Sequence, residues 1–437
     1  MTASLLRGVR TIIRADSDPA RQTLFANLVR SRRSVRIAYT VNQRLRGTWV
    51  SALLLGGYAL STFLKATPPP RRARVLALAT HANARRQVAR VIEWLGPAHC
   101  AWLDDGAGGS GVLGRIADLV RAGRLRQSFR ICRILDRRYG FLVSSRAASV
   151  LAWYARSTEI LVAARPDAIL VSSDSNPEEA GLVAAAKALQ VPQVFVSHAY
   201  PTPFSPPLDF SLAILEGEAA VEARQQMGPI RGEVVLAGVE GESAPLDVAR
   251  LTRRQPAIGI FTPKAVSWET LRALVDDCRV QFEARRILIR WHPSMLEPPR
   301  LAEWVQDLTG VEEFPGSLPL ADIAHECDWV IADENSNVHL PVLRLGIPTV
   351  VVRRLGIYPP TRTDQYGFAA HGVVFPPVEH LRDLRLAAVQ AFFDDCWVSR
   401  FRRYDAGYLR AADALGGDVR QAIWRVCDAH GAQTPHV

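Results

Sequence analysis

Two histidines stand where short apolar runs end. His198 closes VPQVFVSH and is followed by Ala199, Tyr200 and Pro201, and His292 closes RRILIRWHP. In open parallel sheets, ligands bind outside the carboxyl ends of the strands. An imidazole at such a place can act as a general base or orient a phosphate, because its ordinary pKa lies near working pH. A surface histidine held by structural partners would look the same in sequence. One unit before His198, VSSDSNPEE puts Asp174 between a strand and a helix with acidic first-turn residues. Ser175 or Asn176 suits the helix cap, which leaves Asp174 to accept a proton from a hydroxyl.

The second group lies further along. Arg290, two residues before His292, offers charge-assisted hydrogen bonds to a diphosphate. In WVIADENSNVHL, the residues Asp333, Glu334, Asn335, Ser336 and Asn337 fill the turn from a strand into a helix. Their hydroxyl and amide groups, with the first helical N–H groups, would cradle a nucleotide phosphate; the same residues would equally serve as a helix cap. Tyr200 and Glu216, at strand ends, and Asp364, Tyr366 and His371 in TRTDQYGFAAHG are further candidate contacts for a donor or an acceptor. Arg353 and Arg354 could meet leaving-phosphate charge.

These residues need strand ends to hold them, and the chain supplies the rhythm. PDAILVSS, EEAGLVAAAKALQ, PQVFVSH and LDFSLAILEGE alternate strand and helix, preceded by the apolar run ARVLALATH. A polar stretch over 238–256 reads as a linker. AIGIFTP, a helix from Trp268, RRILIRWHP, a helix near 299–309, WVIAD and GIPTVVV then repeat the pattern. Alternation of this kind predicts parallel sheets with helices on both faces. The expected organisation is a basic and apolar region over 1–67, a Rossmann-like domain over 68–240, a second over 255–390, and C-terminal helices over 391–437 packing across both, with the two domains facing a central cleft. Aromatic residues of the tail are expected to pack rather than to bind.

Several classes are excluded. No Gly-rich fingerprint lies between a strand and a helix and no Walker A sequence occurs, which argues against NAD, FAD and P-loop chemistry. The six cysteines lack CxxC spacing and lie in apolar segments, so they read as buried thiols rather than zinc ligands or disulfides. Asp104-Asp105 and Asp394-Asp395 read as solvated surface pairs, not a metal clamp. The net charge of +10 is an N-terminal property: residues 1–90 carry 17 Lys/Arg against Asp16 and Asp18 alone, leaving 36 basic and 41 acidic residues beyond. TWVSALLLGGYALSTFLKA, residues 48–66, lies in a run of 18 uncharged residues between Arg46 and Lys65, with basic flanks. That combination favours docking on an anionic membrane surface over nucleic acid, while a buried helix of the first domain is the alternative; the stretch is short for a span.

From Asp174 through VPQVFVSHAYP to FSLAILEGE, and again at RWHP and DENSN, the chain resembles bacterial surface-polysaccharide transferases of the two-Rossmann-domain GT-B type. Within these it is similar to the CDP-glycerol glycerophosphotransferases, capsule polysaccharide enzymes and polysialyltransferases. Here Ala199 stands where those families have glycine, and Ser336-Asn337 where they have a serine pair. The resemblance implies metal-independent transfer of a sugar or polyol phosphate from a CMP-, CDP- or UDP-linked donor to a glycan or lipid-linked glycan acceptor. It implies no cofactor; the thiols, read as reduced, and the basic, apolar N-terminal region lead us to expect a place in the cytoplasm at the inner face of the membrane. His198 would face the acceptor, His292 the donor phosphate or leaving group, and Ser336 a phosphate. A UDP-sugar 2-epimerase and a non-catalytic GT-B scaffold are the alternatives.

Overall fold

The structure, a computed structural model, describes residues 3–16, 22, 25, 29, 33–51, 73–103, 133–173, 175–201, 205–293, 295, 309–357 and 363–433. The chain forms two compact units. The first takes the residues up to Leu215, Val221–Val235 and those from Asp413 on; the second takes Glu216–Ala220 and Leu236–Ala412.

In the first unit, strands β1 (Val75–Leu78), β2 (Cys100–Trp102), β3 (Ala168–Val171), β4 (Gln193–Val196), β5 (Asp209–Leu215) and β6 (Arg231–Leu236) form one sheet in the order β2-β1-β3-β4-β5-β6. The pairings from β2 to β5 are parallel. β1, β3 and β4 are buried at every position, the reason VLAL and AILV read as unbroken apolar runs. Around the sheet run α1 (Ala3–Asp16), α2 (Arg33–Leu45), α3 (Ala82–Leu95), α4 (Phe141–Ala164), α5 (Pro177–Ala188) and α6 (Glu218–Gln226). α1 places Leu5, Val9 and Ile12, spaced by four and three, on one face against Ala147, Val150 and Leu151 of α4 and Ala180 of α5. The apolar stripe of this basic helix is therefore core. Of the segment 48–66, residues 52–66 lie outside the described residues. Among the described residues no helix is long and apolar enough to cross a membrane.

In the second unit, β7 (Ala257–Phe261), β8 (Arg286–Arg290), β9 (Val311–Phe314), β10 (Trp329–Asp333) and β11 (Thr349–Val352) form a sheet in the order β11-β10-β7-β8-β9. All of its pairings are parallel. This is the Rossmann order, with the reversal between β7 and β10; in the first sheet the reversal falls between β1 and β3. The α/β class and the two Rossmann-like units expected from the sequence are thus present. Helices α7 (Trp268–Val280), α8 (Leu320–His325), α9 (His339–Arg344), α10 (Leu386–Phe392) and α11 (Trp397–Tyr404) complete this unit. The helix expected near 299–309 lies, but for Thr309, outside the described residues. The stretch 238–256 is not a free connector: Ala244 and Asp247 donate their backbone N–H groups to the carbonyls of Arg344 and Gly346, both at 2.9 Å, and Leu251 is buried.

The last helix, α12 (Ala412–Gln433), returns to the first unit. Gly416 lets it close on α3, since a Cβ there would sit 2.5 Å from the Trp94 ring. Trp424 meets His99 edge-on at 5.4 Å and lies under the Arg74 guanidinium, which also bonds Asp428 at 3.1 Å. Trp397, Tyr404 and Tyr408 are buried. Among the described cysteines, Cys278, Cys327 and Cys427 are buried and Cys100 half-buried, but Cys396 is exposed. It sits in the turn before α11, where its N–H bonds Asp394, rather than on the inner face of the helix.

Candidate functional site

The strand ends of the first unit gather a polar cluster around β3. Ser172, the residue after β3, donates its hydroxyl to the Val196 carbonyl at 2.7 Å. The Ser172 carbonyl lies 2.5 Å from His198 Nδ1, and its hydroxyl oxygen 3.1 Å away. A carbonyl only accepts, so Nδ1 carries the proton and Nε2 is the basic nitrogen. His198 is thus oriented by the adjacent strand in the tautomer that a general base at Nε2 requires. Asp174 lies outside the described residues. Tyr200 is buried.

The other side of β3 carries residues that sequence reading passed over. Thr80 and His81 follow β1, and Glu179 lies in the first turn of α5. Thr80 donates its N–H to Glu179 Oε1, and its hydroxyl pairs with Oε2, both at 3.2 Å. Asn176 occupies the N-cap position of α5 but makes no side-chain cap. Its Nδ2 instead donates to the Thr80 hydroxyl at 2.8 Å, and its Oδ1 lies 3.3 Å from His81 Nε2. Glu179 is fully buried, and burial pushes its carboxyl up to about 8, against the opposing hydrogen bonds from Asn176 and Thr80. At neutral pH the group is largely protonated. A signal for this side was present: ATH after VLAL parallels VSH after QVF, each placing a histidine three residues beyond an apolar run.

In the second unit, β8 and β10 flank β7 on either side of the reversal, so His292 and the 333–337 turn share one sheet edge. His292 N–H donates to the hydroxyl of Thr262, the residue after β7, at 3.1 Å. Burial, and then the charges of Lys264 and Arg290, hold the His292 imidazole down at about 4. It is neutral at pH 7 and offers one donor and one acceptor. Lys264, overlooked in the sequence, brings a second cation to this edge beside Arg290; its cue was TPK directly after the buried strand AIGIF.

The other expected contacts do more structural work than phosphate binding requires. Arg290 is buried and donates through one guanidinium nitrogen to the carbonyls of Gly316 (3.1 Å) and Leu318 (2.9 Å). The Asp333 carboxylate accepts from the N–H groups of Asn335 (2.9 Å) and Gly356 (2.7 Å), which makes it an organiser of the turn. Asn335 in turn holds Gln365 through its side chain and its carbonyl, at 3.1 and 2.9 Å. The helix expected to supply N–H groups is only six residues long and begins at His339. Ser336 Oγ accepts from the Val338 N–H within this turn. Burial, and then Asp333, raise the Glu334 carboxyl, with Arg353 3.7 Å away. Arg353 and Arg354 both pair with Glu379, at 2.9 and 3.6 Å.

Glu216 is buried and its carbonyl accepts from Ala406 N–H at 2.9 Å. Asp364 closes its own loop by accepting from the N–H groups of Ala369 and Ala370. His371 Nδ1 lies 2.5 Å from the Tyr404 hydroxyl, which also bonds the carbonyls of Tyr366 and Gly367. Tyr366 stacks on Phe368 at 5.2 Å. These three residues thus form a tied loop beside Asn335. Among the described residues no group of three His, Cys, Asp or Glu side chains gathers as a metal site.

No family description and no curated protein matches the chain. Among solved structures it is similar to the UDP-GlcNAc 2-epimerase from Neisseria meningitidis, with 9% identity over 80% of this chain and 99% of that one and a TM-score of 0.45. It is similar to the glycotransferase of kitacinnamycin (12%, 82% and 100%, TM-score 0.44) and to MurG of Acinetobacter baumannii (13%, 82% and 99%, TM-score 0.39). Resemblance at this distance describes the two-sheet α/β class and carries no argument about activity.

Proposed function

We propose that the protein is a GT-B-type glycosyltransferase that moves a sugar or a polyol phosphate from a CMP-, CDP- or UDP-linked donor to a cell-surface glycan acceptor without a metal. The observation that carries this reading is the edge of the second sheet, where neutral His292 and Lys264 share the reversal of a Rossmann-ordered sheet with Ser336 and Asn337. Lys264 would compensate the leaving phosphate, and His292 would donate a hydrogen bond to it. In the first unit, His198 Nε2 would take the proton from the acceptor hydroxyl as that oxygen bonds the transferred group and the bond to the nucleotide breaks. Buried Arg290 and Asp333 hold the edge in shape. Attachment of the N-terminal region to the inner face of the membrane, where a lipid-linked acceptor resides, is part of the same proposal.

The test is a thermal-shift panel of CMP, CDP, UDP and GDP with and without magnesium, followed by His198→Ala and His292→Ala. Stabilisation by a pyrimidine nucleotide without metal, lost in His292→Ala and retained in His198→Ala, is the expected pattern. No stabilisation by any nucleotide would refute it, and epimerisation of UDP-N-acetylhexosamine without transfer would assign the chain to epimerases instead.

A further inference from the structure

A cavity of the first unit lies at the opposite edge of its sheet from His198. It opens where β5 and β6 begin, at Asp209 and Arg231, and is roofed by α1 and the C-terminal end of α5. Its volume is about 350 Å³, within the range of small-molecule sites. Gly8 makes this roof possible: a Cβ there would already be 3.3 Å from the Ala180 carbonyl and 3.4 Å from Val150, so α1 lies nearly backbone-to-backbone on α5.

The lining divides by chemistry. Arg7, Lys187 and Arg231 supply three cations, and Asp209 is the one carboxylate lining it among the described residues. Asp209 already serves two of them, pairing with Arg7 and with Lys187 Nζ at 2.8 Å. Phe210, Val183 and the prolines 206, 207 and 229 make the rest of the wall apolar. Lys187 is only 16% exposed, and its ammonium lies 5.7 Å from the centre of the Phe210 ring. Burial, then Arg7 and Arg231, holds Lys187 down to about 7, so near neutral pH the charge rests chiefly on Arg7 and Arg231, and an anion seated among the three would draw a proton onto Lys187.

We propose that this cavity binds an alkyl-chain anion, with its phosphate or carboxylate head among Arg7, Lys187 and Arg231 and its chain against Phe210 and Val183. An inorganic anion would meet the cations and leave the apolar wall unused. A neutral lipid tail would bury Lys187 beside hydrocarbon. Only an amphiphile satisfies both halves of the lining. Such a ligand reaches the pocket from a membrane leaflet or from solution, and the chemistry is the same.

The full chain is titrated with hexyl phosphate and with inorganic phosphate, then with phosphatidylcholine vesicles with or without phosphatidic acid in competition. Hexyl phosphate is expected to bind at least tenfold more tightly than inorganic phosphate. Lys187→Met, which removes a buried charge and keeps the stem, should weaken hexyl phosphate by about tenfold, the worth of one charge-assisted bond. Val183→Phe, which fills the cavity and leaves every charge in place, should weaken it as well; circular dichroism and melting confirm that both variants are folded. Displacement of hexyl phosphate by the anionic vesicles alone identifies a membrane lipid as the source, and no displacement identifies a soluble amphiphile. Equal affinity for the two phosphates, or unchanged binding in either folded variant, overturns the proposal.

Discussion

Glu179 gives the sharpest quantitative prediction. Its carboxyl titrates near 8 in the folded chain against an ordinary 4.5. The folded state therefore holds a proton that the unfolded state releases, and the stability so gained is full below pH 4.5 and is lost as pH rises through 8. Within this window the slope approaches 1.4 kcal/mol per pH unit, so from pH 5 to 8 this residue alone removes about 3 kcal/mol of stability. Glu179→Gln keeps an acceptor for Thr80 N–H and imitates the protonated acid, but cannot ionise. The assay is urea unfolding of both proteins at pH 5, 6, 7 and 8, followed by tryptophan fluorescence. Every other titrating group is common to the two, so their difference isolates Glu179. The variant is expected to gain on the parent as pH rises, by about 3 kcal/mol in all. Parallel curves would refute the reasoning, because they would mean that the carboxyl is not held protonated by the fold.

Other consequences follow from the same geometry. Because His292 is held at about 4, the pH–rate profile should show no limb between pH 5.5 and 8 that His292→Gln removes. His198→Gln should lower the transfer rate by 10²–10⁴-fold, about what general-base catalysis contributes, with donor affinity unchanged; loss of donor binding would place His198 elsewhere in the reaction. Arg344→Met leaves the fully buried Asp405 without its 2.5 Å ion-pair partner and should cost about 3–5 kcal/mol in denaturant unfolding, whereas a loss below about 1 kcal/mol would mean the pair is not structural. Gly217→Ala would set a Cβ 2.4 Å from the Arg403 carbonyl and should destabilise the second unit by about 1–3 kcal/mol or more, read as a lower melting temperature.

The strands were legible because parallel strands covered on both faces leave unbroken apolar runs, as in VLAL, AILV and WVIAD. For the same reason His198 and His292 could be picked out as strand-end residues. What sequence could not convey was which polar groups the fold would tie internally. Asp333 and Arg290 have the right chemistry for a phosphate site, yet their hydrogen bonds go to Gly356, Asn335, Gly316 and Leu318, partners 2 to 28 residues away that only the folded loops bring near. Glu179 reads as an ordinary first-turn acid of a helix. Its burial depends on Thr80, which arrives from 99 residues earlier. The apolar stripe of α1 finds its partners only in the folded chain, among the small residues of α4 and α5 that receive it.

The return of α12 to the first unit has a consequence for biogenesis. On the ribosome, Glu216–Ala220 and Leu236–Ala412 of the second unit are all made before the helix that covers Trp94 and Arg74 of the first. The first unit therefore keeps its α3 surface uncovered until α12 has left the exit tunnel, although its strands come earlier in the chain. Chains ending at residue 412 and held on the ribosome by an unstructured linker long enough to clear the exit tunnel should protect the second unit from protease and leave the first open to it.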